Sequence, residues 1–238
     1  MYKRILLKLS GEALANKKDS STLDSDCVSS IAKTIKSLVD NGTQVGVVIG
    51  AGNIWRGKLA ETLGLDRVPA DYMGMMGTVI NAVALSGAVN KLGVKTIVYS
   101  AINQIDGVVE FYDKEKAKQS LNEGKVTFFA GGTGKPFFTT DTAATLRALE
   151  VECDAIFMAK YGVDGVYDKD PHQDKDAKFF KSITYQQVID MKLGVMDLSA
   201  VELVKDTDLQ LRVFSMEDAA NIIKVANGSD IGTTVKRG

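Results

Sequence analysis

The sequence predicts an α/β protein in which a mainly parallel sheet lies between layers of helices. Six short runs are almost continuously apolar and rich in β-branched residues, which is typical of strands covered on both faces. Helical patterns lie between these runs, so that strand and helix alternate along the chain. The 238 residues, 45% hydrophobic and 25% charged, contain no linker or internal repeat. This length suits one large domain or two small lobes.

The predicted elements follow the apolar runs and the capping residues in chain order. The strands are 5–9, 45–49, 96–99, 126–130, 154–159 and 211–214. The helices are 24–40, 72–91, 113–122, 141–150, 184–191, 197–205 and 216–225. The helices that open with a side-chain oxygen suited to capping start at Asp24, Asp141, Thr184 and Asp197. Turn formers between 159 and 175 predict a hairpin, and the three prolines are expected in loops: Pro69, Pro136 and Pro171.

Composition and charge exclude several classes of protein. A net charge of −1 gives no sign of a general surface for nucleic acid or membrane. Cys27 and Cys153 are far apart and lack metal-type spacing, which fits a reducing compartment. The lone histidine, His172, lies in a polar stretch and excludes a histidine-based triad or metal site. No run approaches the ~18 apolar residues of a membrane span, so we expect a cytoplasmic protein.

A single charge interrupts the first predicted strand. Lys8 lies within the apolar run 5–9 and is followed directly by Ser10 and Gly11. A lysine in a buried strand requires an anionic partner. A glycine turn at the end of a strand can expose backbone N–H groups to an anion. Lys8 and the turn after it therefore predict a phosphate site, at the sheet edge where α/β proteins bind ligands.

The loop after the second strand is also rich in glycine. Gly50, Gly52 and Gly57 fall within eight residues, which lets backbone amides approach an anion closely. The spacing resembles a P-loop, but Leu59 stands where that motif needs Ser or Thr to hold Mg²⁺. Arg56 is suited to bidentate pairing with phosphate, and the alternative is an ordinary surface arginine.

Three more segments have residue types that suit a nucleotide. The loop 131–141 combines glycines, hydroxyls, two aromatic rings and a carboxylate, although it also serves to start a helix. Asp71 precedes a run of glycine and methionine, where its carboxylate can either accept hydrogen bonds from sugar hydroxyls or cap a helix. The segment 159–171 offers two lysines, two tyrosines and three aspartates, and its alternative is a plain charged hairpin.

In this order along the chain, the motifs resemble those of bacterial UMP kinases in the amino acid kinase family. The resemblance covers essentially the whole chain and rests on residues 8–14, 50–57, 71–75, 134–141, 163–171, 195–198 and 212–214. Segments 71–75 and 137–141 point to UMP, whereas the other pieces are shared with aspartate and acetylglutamate kinases. The resemblance implies a three-layer αβα sandwich of the amino acid kinase or carbamate kinase-like fold. It also implies one domain over 1–238, with about 1–150 mainly binding UMP and about 151–238 mainly binding ATP.

The same resemblance implies an activity and a set of site residues. The reaction is ATP + UMP → ADP + UDP in pyrimidine nucleotide synthesis, with Mg²⁺ held through nucleotide phosphates and water. The implied ATP-binding residues are Lys8, Leu9, Ser10, Gly11, Gly52, Arg56, Tyr161, Tyr167 and Asp170. The implied UMP-binding residues are Ala51, Asp71 (on the ribose), Thr133, Gly134, Lys135, Pro136, Phe137, Phe138, Thr139 and Thr140. The expected catalytic group is Lys8 and Arg56, with Asp141 and Asp197 orienting Lys8 or a metal-bound water.

Partners and regulation follow from the resemblance as well. We expect a homohexamer that binds ATP and UMP, with UTP as feedback inhibitor and with no nucleic-acid or membrane partner. Ala51 stands where the family often has glycine, and Tyr161 stands where its members differ in residue and loop length. The segment 16–21 lacks the glycine-rich pattern linked to GTP activation, so such activation is not expected. The alternatives are a related kinase acting on a carboxylate or carbamate, and a nucleotide-binding regulator without turnover.

Overall fold

A nine-stranded sheet forms the centre of the computed structural model, which describes residues 1–16 and 21–238. In chain order the strands are β1 (Arg4–Leu9), β2 (Gln44–Ile49), β3 (Thr96–Ser100), β4 (Glu110–Phe111), β5 (Val126–Ala130), β6 (Ala155–Lys160), β7 (Val166–Tyr167), β8 (Phe179–Phe180), β9 (Ser182–Thr184), β10 (Gln210–Ser215) and β11 (Thr233–Lys236). The sheet order is β4-β3-β5-β2-β1-β6-β10-β11-β9, and β7 and β8 form a separate pair. Only the β10–β11 contact in the described sheet is antiparallel.

Helices cover both faces of this sheet. A 3₁₀ helix spans Gly11–Leu14, and the α-helices are α1 (Ser25–Asp40), α2 (Gly57–Thr62), α3 (Arg67–Lys91), α4 (Lys114–Asn122), α5 (Thr140–Glu150), α6 (Tyr185–Asp190), α7 (Leu198–Val204) and α8 (Ala220–Ala226). One hydrophobic cluster lies under α1, α3 and α8, and a second lies under α4, α5, α6 and α7. The predicted three-layer αβα sandwich with a mainly parallel sheet is therefore confirmed.

Alternation along β1 decides which way Lys8 faces. Ile5, Leu7 and Leu9 belong to the cluster under α1 and α3, whereas Leu6 belongs to the cluster under α5 and α7. Successive side chains of a strand point to opposite faces, so Lys8 shares the face of Leu6. β1 lies between β2 and β6, so that Lys8 is central in the sheet, close to the carboxyl end of its strand.

The predicted strands are all present, and the predicted hairpin extends further along the chain than expected. Strands β7 and β8 pair as an antiparallel hairpin whose second strand is residues 179–180, beyond the predicted limit of 175. The strands that were not predicted have two to four residues, as in β4 and β11, which is too short for an apolar pattern to appear. The segment 16–21, which carries the expectation about GTP, lies partly outside the described residues.

The starts of three helices differ from the prediction. Pro69 lies in the first turn of α3 and not in a loop, because that turn does not need its missing N–H group. As a result α3 begins at Arg67, and Asp71 lies inside the helix. The N-cap of α5 is Thr139, whose hydroxyl accepts from the N–H of Thr142, so Asp141 lies in the first turn. The last helix, α8, begins at Ala220, four residues later than predicted.

Helix α3 is long and apolar enough to span a membrane by length and composition alone. Half of its most apolar window is buried inside the protein, and it packs on α1, β3 and β5. These contacts identify α3 as a core helix of the sandwich. Its first residues reach the same edge of the sheet as the loops after β2 and β5.

Candidate active site

Two cavities open among the described residues at the carboxyl ends of the central strands. The first, of about 610 Å³, lies between the loop after β2, the start of α3 and the loop after β5, and we call it the α3 cavity. The second, of about 590 Å³, lies between the end of β1, the 3₁₀ helix and the end of β6, and we call it the β6 cavity. Each has the size of a small-molecule ligand site.

The structure brings many of the predicted residues to these cavities. The predicted UMP-binding residues that line the α3 cavity are Ala51, Asp71, Thr133, Lys135, Phe138, Thr139 and Thr140. The predicted ATP-binding residues that line the β6 cavity are Lys8, Ser10 and Tyr161. Gly52 lines the α3 cavity, whereas Tyr167 and Asp170 lie on the hairpin outside either lining. Their roles stay predictions.

An ion pair inside the protein supplies the anionic partner that Lys8 requires. Lys8 Nζ lies 2.7 Å from Asp141 Oδ1, and the two side chains are 19% and 18% exposed. Asp141 reaches the ammonium because Thr139 takes over the capping of α5 and leaves the carboxylate free to point at β1. Asp197 is exposed at the N-cap of α7 and does not cap that helix with its side chain. The pairing of Asp141 with Lys8 is thus observed, and the role of Asp197 stays a prediction.

Arg56 connects the borders of the two cavities. Its Nη2 forms an ion pair with Glu12, which lines the β6 cavity, and its Nε donates to the Gly52 carbonyl at 2.9 Å. Gly52 lines the α3 cavity. The guanidinium side chain is 62% exposed, so it keeps donors for a ligand while its position is fixed at both ends.

A buried asparagine holds the loop after β2, against which the glycine turn after β1 packs. Asn81 of α3 is fully buried, and its Nδ2 donates to the Gly50 carbonyl and to Asn53 Oδ1, each at 2.8 Å. Asn53 Nδ2 returns a bond of 3.0 Å to Asn81 Oδ1. A Cβ on Gly11 would lie 2.3 Å from Asn53 Oδ1 and 2.5 Å from the Gly50 carbonyl. Only glycine allows the turn after β1 to approach the loop after β2 so closely.

Asp71 connects the start of α3 with the loop after β5. Its Oδ2 accepts the backbone N–H of Phe137 at 2.7 Å, and its carboxylate pairs with Arg67 Nε at 2.8 Å. Phe137 has a φ of +71°, a value that few residues other than glycine adopt. The bond from its N–H to the carboxylate helps to hold this turn. The aromatic ring of Phe137 is exposed, with the Arg67 guanidinium 5.7 Å from its centroid.

The glycines of the loop after β5 are held from two sides. Thr78 Oγ1 of α3 accepts the N–H of Gly131 at 2.8 Å. Arg147 of α5 donates through Nη2 to the Gly132 carbonyl at 3.3 Å, and it stacks on the ring of Tyr112 at 3.7 Å. Burial raises the pKa of the Tyr112 hydroxyl, and its bond to the Glu150 carboxylate adds to this. Arg147 therefore supports the floor of the α3 cavity without lining it.

Sequence reasoning missed three of these supporting residues. Asn81, Thr78 and Arg147 lie within predicted helices, and no local pattern marks them because their partners lie in other segments of the chain. The available signal was a polar side chain inside an apolar helix stretch, such as Asn81 between Ile80 and Ala82. A polar group on a buried helix face needs a hydrogen-bond partner, although the sequence does not identify it.

The described residues contain no group of three His, Cys, Asp or Glu side chains arranged to hold a metal ion. Mg²⁺ typically binds through one or two carboxylates, substrate phosphates and several waters. Asp141 pairs with Lys8, and Glu12, which lines the β6 cavity together with Lys8, pairs with Arg56. This donor set fits a magnesium ion that is brought by a nucleotide and held through water.

The fold and the two cavities define an α/β protein built to bind phosphorylated ligands without a P-loop. Residues 3–215 match the amino acid kinase family, and the chain belongs to that family. It is 52% identical to the uridylate kinase of Mycoplasma capricolum over 94% of each chain. The crystal structure of UMP kinase from Bacillus anthracis is 40% identical with a TM-score of 0.95, covering 99% of this chain and 96% of that one. The UMP kinase structure from Ureaplasma parvum is 39% identical with a TM-score of 0.93, covering 100% of both chains.

Replacing Asn81 with leucine tests the buried asparagine. Asn81→Leu removes the donor that the Gly50 carbonyl and Asn53 Oδ1 share, and we expect the free energy of unfolding to fall by about 2–3 kcal/mol. Urea denaturation at one fixed protein concentration measures this. Asn90→Leu, the same change at an exposed position of α3, is the control and should stay within about 0.5 kcal/mol of the starting protein. Equal losses in the two variants would contradict the role given to Asn81.

Proposed function

We propose that this protein transfers the γ-phosphoryl group of ATP to UMP, giving ADP and UDP in pyrimidine nucleotide biosynthesis. The chain is a nucleoside monophosphate kinase, as relatives named uridylate kinase match it over nearly its full length. The structural observation that carries the proposal is the pair of adjacent cavities. Thr140 lines the α3 cavity, and the next residue, Asp141, pairs with Lys8 of the β6 cavity.

The two cavities are assigned to the two nucleotides. The α3 cavity takes UMP, with Asp71 on the ribose and the loop 133–140 around the nucleotide. The β6 cavity takes ATP, with Lys8, Ser10 and Gly11 near its phosphates. The lining of the α3 cavity comes from residues 51–140, which supports a UMP-binding part within about 1–150. The β6 cavity draws on both 8–27 and 158–216, so the ATP-binding part about 151–238 is completed by the first strand.

Charge neutralisation is the main task of this chain's residues. Phosphoryl transfer passes through a loose transition state, so positioning and electrostatic stabilisation supply most of the catalysis. Lys8 neutralises the transferred group, and Asp141 holds the Lys8 ammonium in place. Arg56, fixed by Glu12 and Gly52, offers its remaining donors to phosphate oxygens. A general base is not required, because a UMP phosphate oxygen is already anionic at neutral pH.

Mg²⁺ is proposed as the cofactor that arrives with ATP. When bound, it neutralises charge on the ATP phosphates and orients them. Asp141 and Asp197 would hold it through water. Asp141 would also keep its observed ion pair with Lys8.

The assembly, regulation and location extend the proposal. Tyr72, Met76 and Ile80 form an exposed apolar stripe on α3 with a spacing of four residues, which supports burial between copies in a homohexamer. UTP is proposed as feedback inhibitor and the cytoplasm as the location, with no nucleic-acid or membrane partner. Light scattering after size exclusion tests the assembly, since a particle of the chain mass of 25.6 kDa would contradict it.

A coupled assay for ADP release tests the reaction. ATP and Mg²⁺ are supplied with UMP, CMP, aspartate or carbamate, and we expect turnover with UMP and its loss when EDTA removes the metal. Turnover with aspartate or carbamate in place of UMP would favour the related kinase. Tight nucleotide binding without ADP release would favour a regulator. Repeating the assay with GTP and UTP tests the expected lack of GTP activation and the proposed inhibition by UTP.

Removing the Lys8 ammonium should slow turnover. For Lys8→Ala we expect kcat to fall by about 10²–10³-fold, the scale of one lost transition-state stabiliser. Lys36→Ala, which removes an exposed lysine paired with Asp40 on α1, is the control and should turn over normally. Steady-state rates at saturating ATP and UMP give the comparison. A Lys8→Ala enzyme with nearly unchanged kcat would refute the assigned role.

Changing Asp71 should separate the two substrates. For Asp71→Asn we expect the KM for UMP to rise about tenfold with the KM for ATP little altered, because one charged hydrogen bond is weakened. The chain has one tryptophan, Trp55, which lines the α3 cavity, so its fluorescence reports UMP binding without turnover. Asp66→Asn is the control, since Asp66 is exposed and its side chain does not cap α3. A rise in the KM for ATP alone would rule out the ribose contact.

A further inference from the structure

A second lysine enters the β6 cavity from the strand next to Lys8. In the parallel pair of β1 and β6, Lys8 lies opposite Met158, and Lys160 follows two residues later on the same face. Lys160 is the last residue of β6, and it lines the cavity together with Lys8, Ser10 and Tyr161. The register of the sheet therefore places two ammonium groups on one side of one cavity.

The charges of the two lysines are balanced differently. Lys8 pairs with Asp141 at 2.7 Å, whereas Lys160 Nζ donates to the backbone carbonyl of Val195 at 2.8 Å. Within residues 1–16 and 21–238, no ion pair joins Lys160 to a carboxylate. The carboxylate in the described lining of the cavity belongs to Glu12, and it pairs with Arg56. The inner side of the cavity thus carries a positive charge that the described residues leave unbalanced.

This arrangement is costly without a ligand. Burial lowers the pKa of Lys160, and the nearby Lys8 ammonium lowers it further, while Asp141 acts in the opposite direction. A largely buried charge persists in proteins when a partner or a ligand compensates it. The carbonyl of Val195 satisfies one of the three N–H donors of the ammonium, and two remain available for a ligand.

We propose that Lys160 binds the β- and γ-phosphates of the nucleoside triphosphate in the β6 cavity, as a second cation beside Lys8. This inference rests on the assignment of that cavity to ATP under the proposed function. The carbonyl of Val195 holds the ammonium in position before the nucleotide arrives. Asp141 compensates the charge of Lys8 alone. The phosphates of the bound nucleotide then compensate the charge of Lys160.

Nucleotides of different phosphate number distinguish this contact from a structural role. We compare Lys160→Met and Lys160→Arg with Lys36→Met, the control at an exposed lysine of α1. Equilibrium binding of ATP, ADP and AMP is measured by calorimetry without UMP, so that no phosphoryl group is transferred. In Lys160→Met we expect ATP to bind at least about tenfold more weakly, ADP to lose less affinity and AMP to bind unchanged. Lys160→Arg should recover most of the ATP affinity.

Binding of UMP, followed by Trp55 fluorescence, should be unchanged in Lys160→Met. Unchanged ATP affinity in that variant would overturn the proposal, and so would an equal loss for ATP, ADP and AMP. If Lys160→Met does not fold, as judged by circular dichroism, Lys160→Gln provides the same comparison. If the unmutated protein binds no ATP, the proposed function itself is wrong. If the unmutated protein binds ATP and Lys160→Met binds it equally well, only the Lys160 contact is wrong.

Discussion

The ion pair between Lys8 and Asp141 is the interaction on which the site depends. A lysine on the central strand of a sheet covered by helices has to be compensated, and the first turn of α5 provides the carboxylate. This requirement fixes the start of α5 against the end of β1. The loop that leads into α5 also lines the α3 cavity, whereas β1 ends at the β6 cavity. This one ion pair therefore sets the position of the two cavities relative to each other. The helix N-terminus at Thr139 also adds a partial positive charge there.

Long-range hydrogen bonds keep the glycine turns rigid. Asn81 holds the loop after β2, and Thr78, one helical turn earlier, holds the loop after β5. Both residues project from α3, which also carries Asp71 at its start. A single core helix therefore sets the relative positions of the loops after β2 and β5. Groups that stabilise a loose transition state have to be placed before the reaction, and a buried helix places them more rigidly than loops alone.

The sequence was sufficient for the parts of the fold that have a strong local pattern. Strands of five or six residues show a continuous apolar run, whereas two-residue strands such as β4 and β7 do not. Asp141 was interpreted as a cap because Thr139, Thr140 and Asp141 are all suitable, and only the ion pair with Lys8 decides among them. The position of Lys160 beside Lys8 depends on the register of β1 against β6, which no pattern within either strand encodes.

The carboxylate of Asp71 couples the loop after β5 to the proposed nucleotide site. It already accepts the Phe137 N–H and pairs with Arg67, and it is the group assigned to the ribose. Under the proposed ribose contact, the turn at Phe137 and the nucleotide share one carboxylate, so the conformation of this turn and nucleotide binding are coupled, and the coupling is reciprocal. A chain whose loop is closed only part of the time binds more weakly in proportion. The exposed ring of Phe137, which lies beside the Arg67 guanidinium, can in this way influence nucleotide affinity through the turn that carries it.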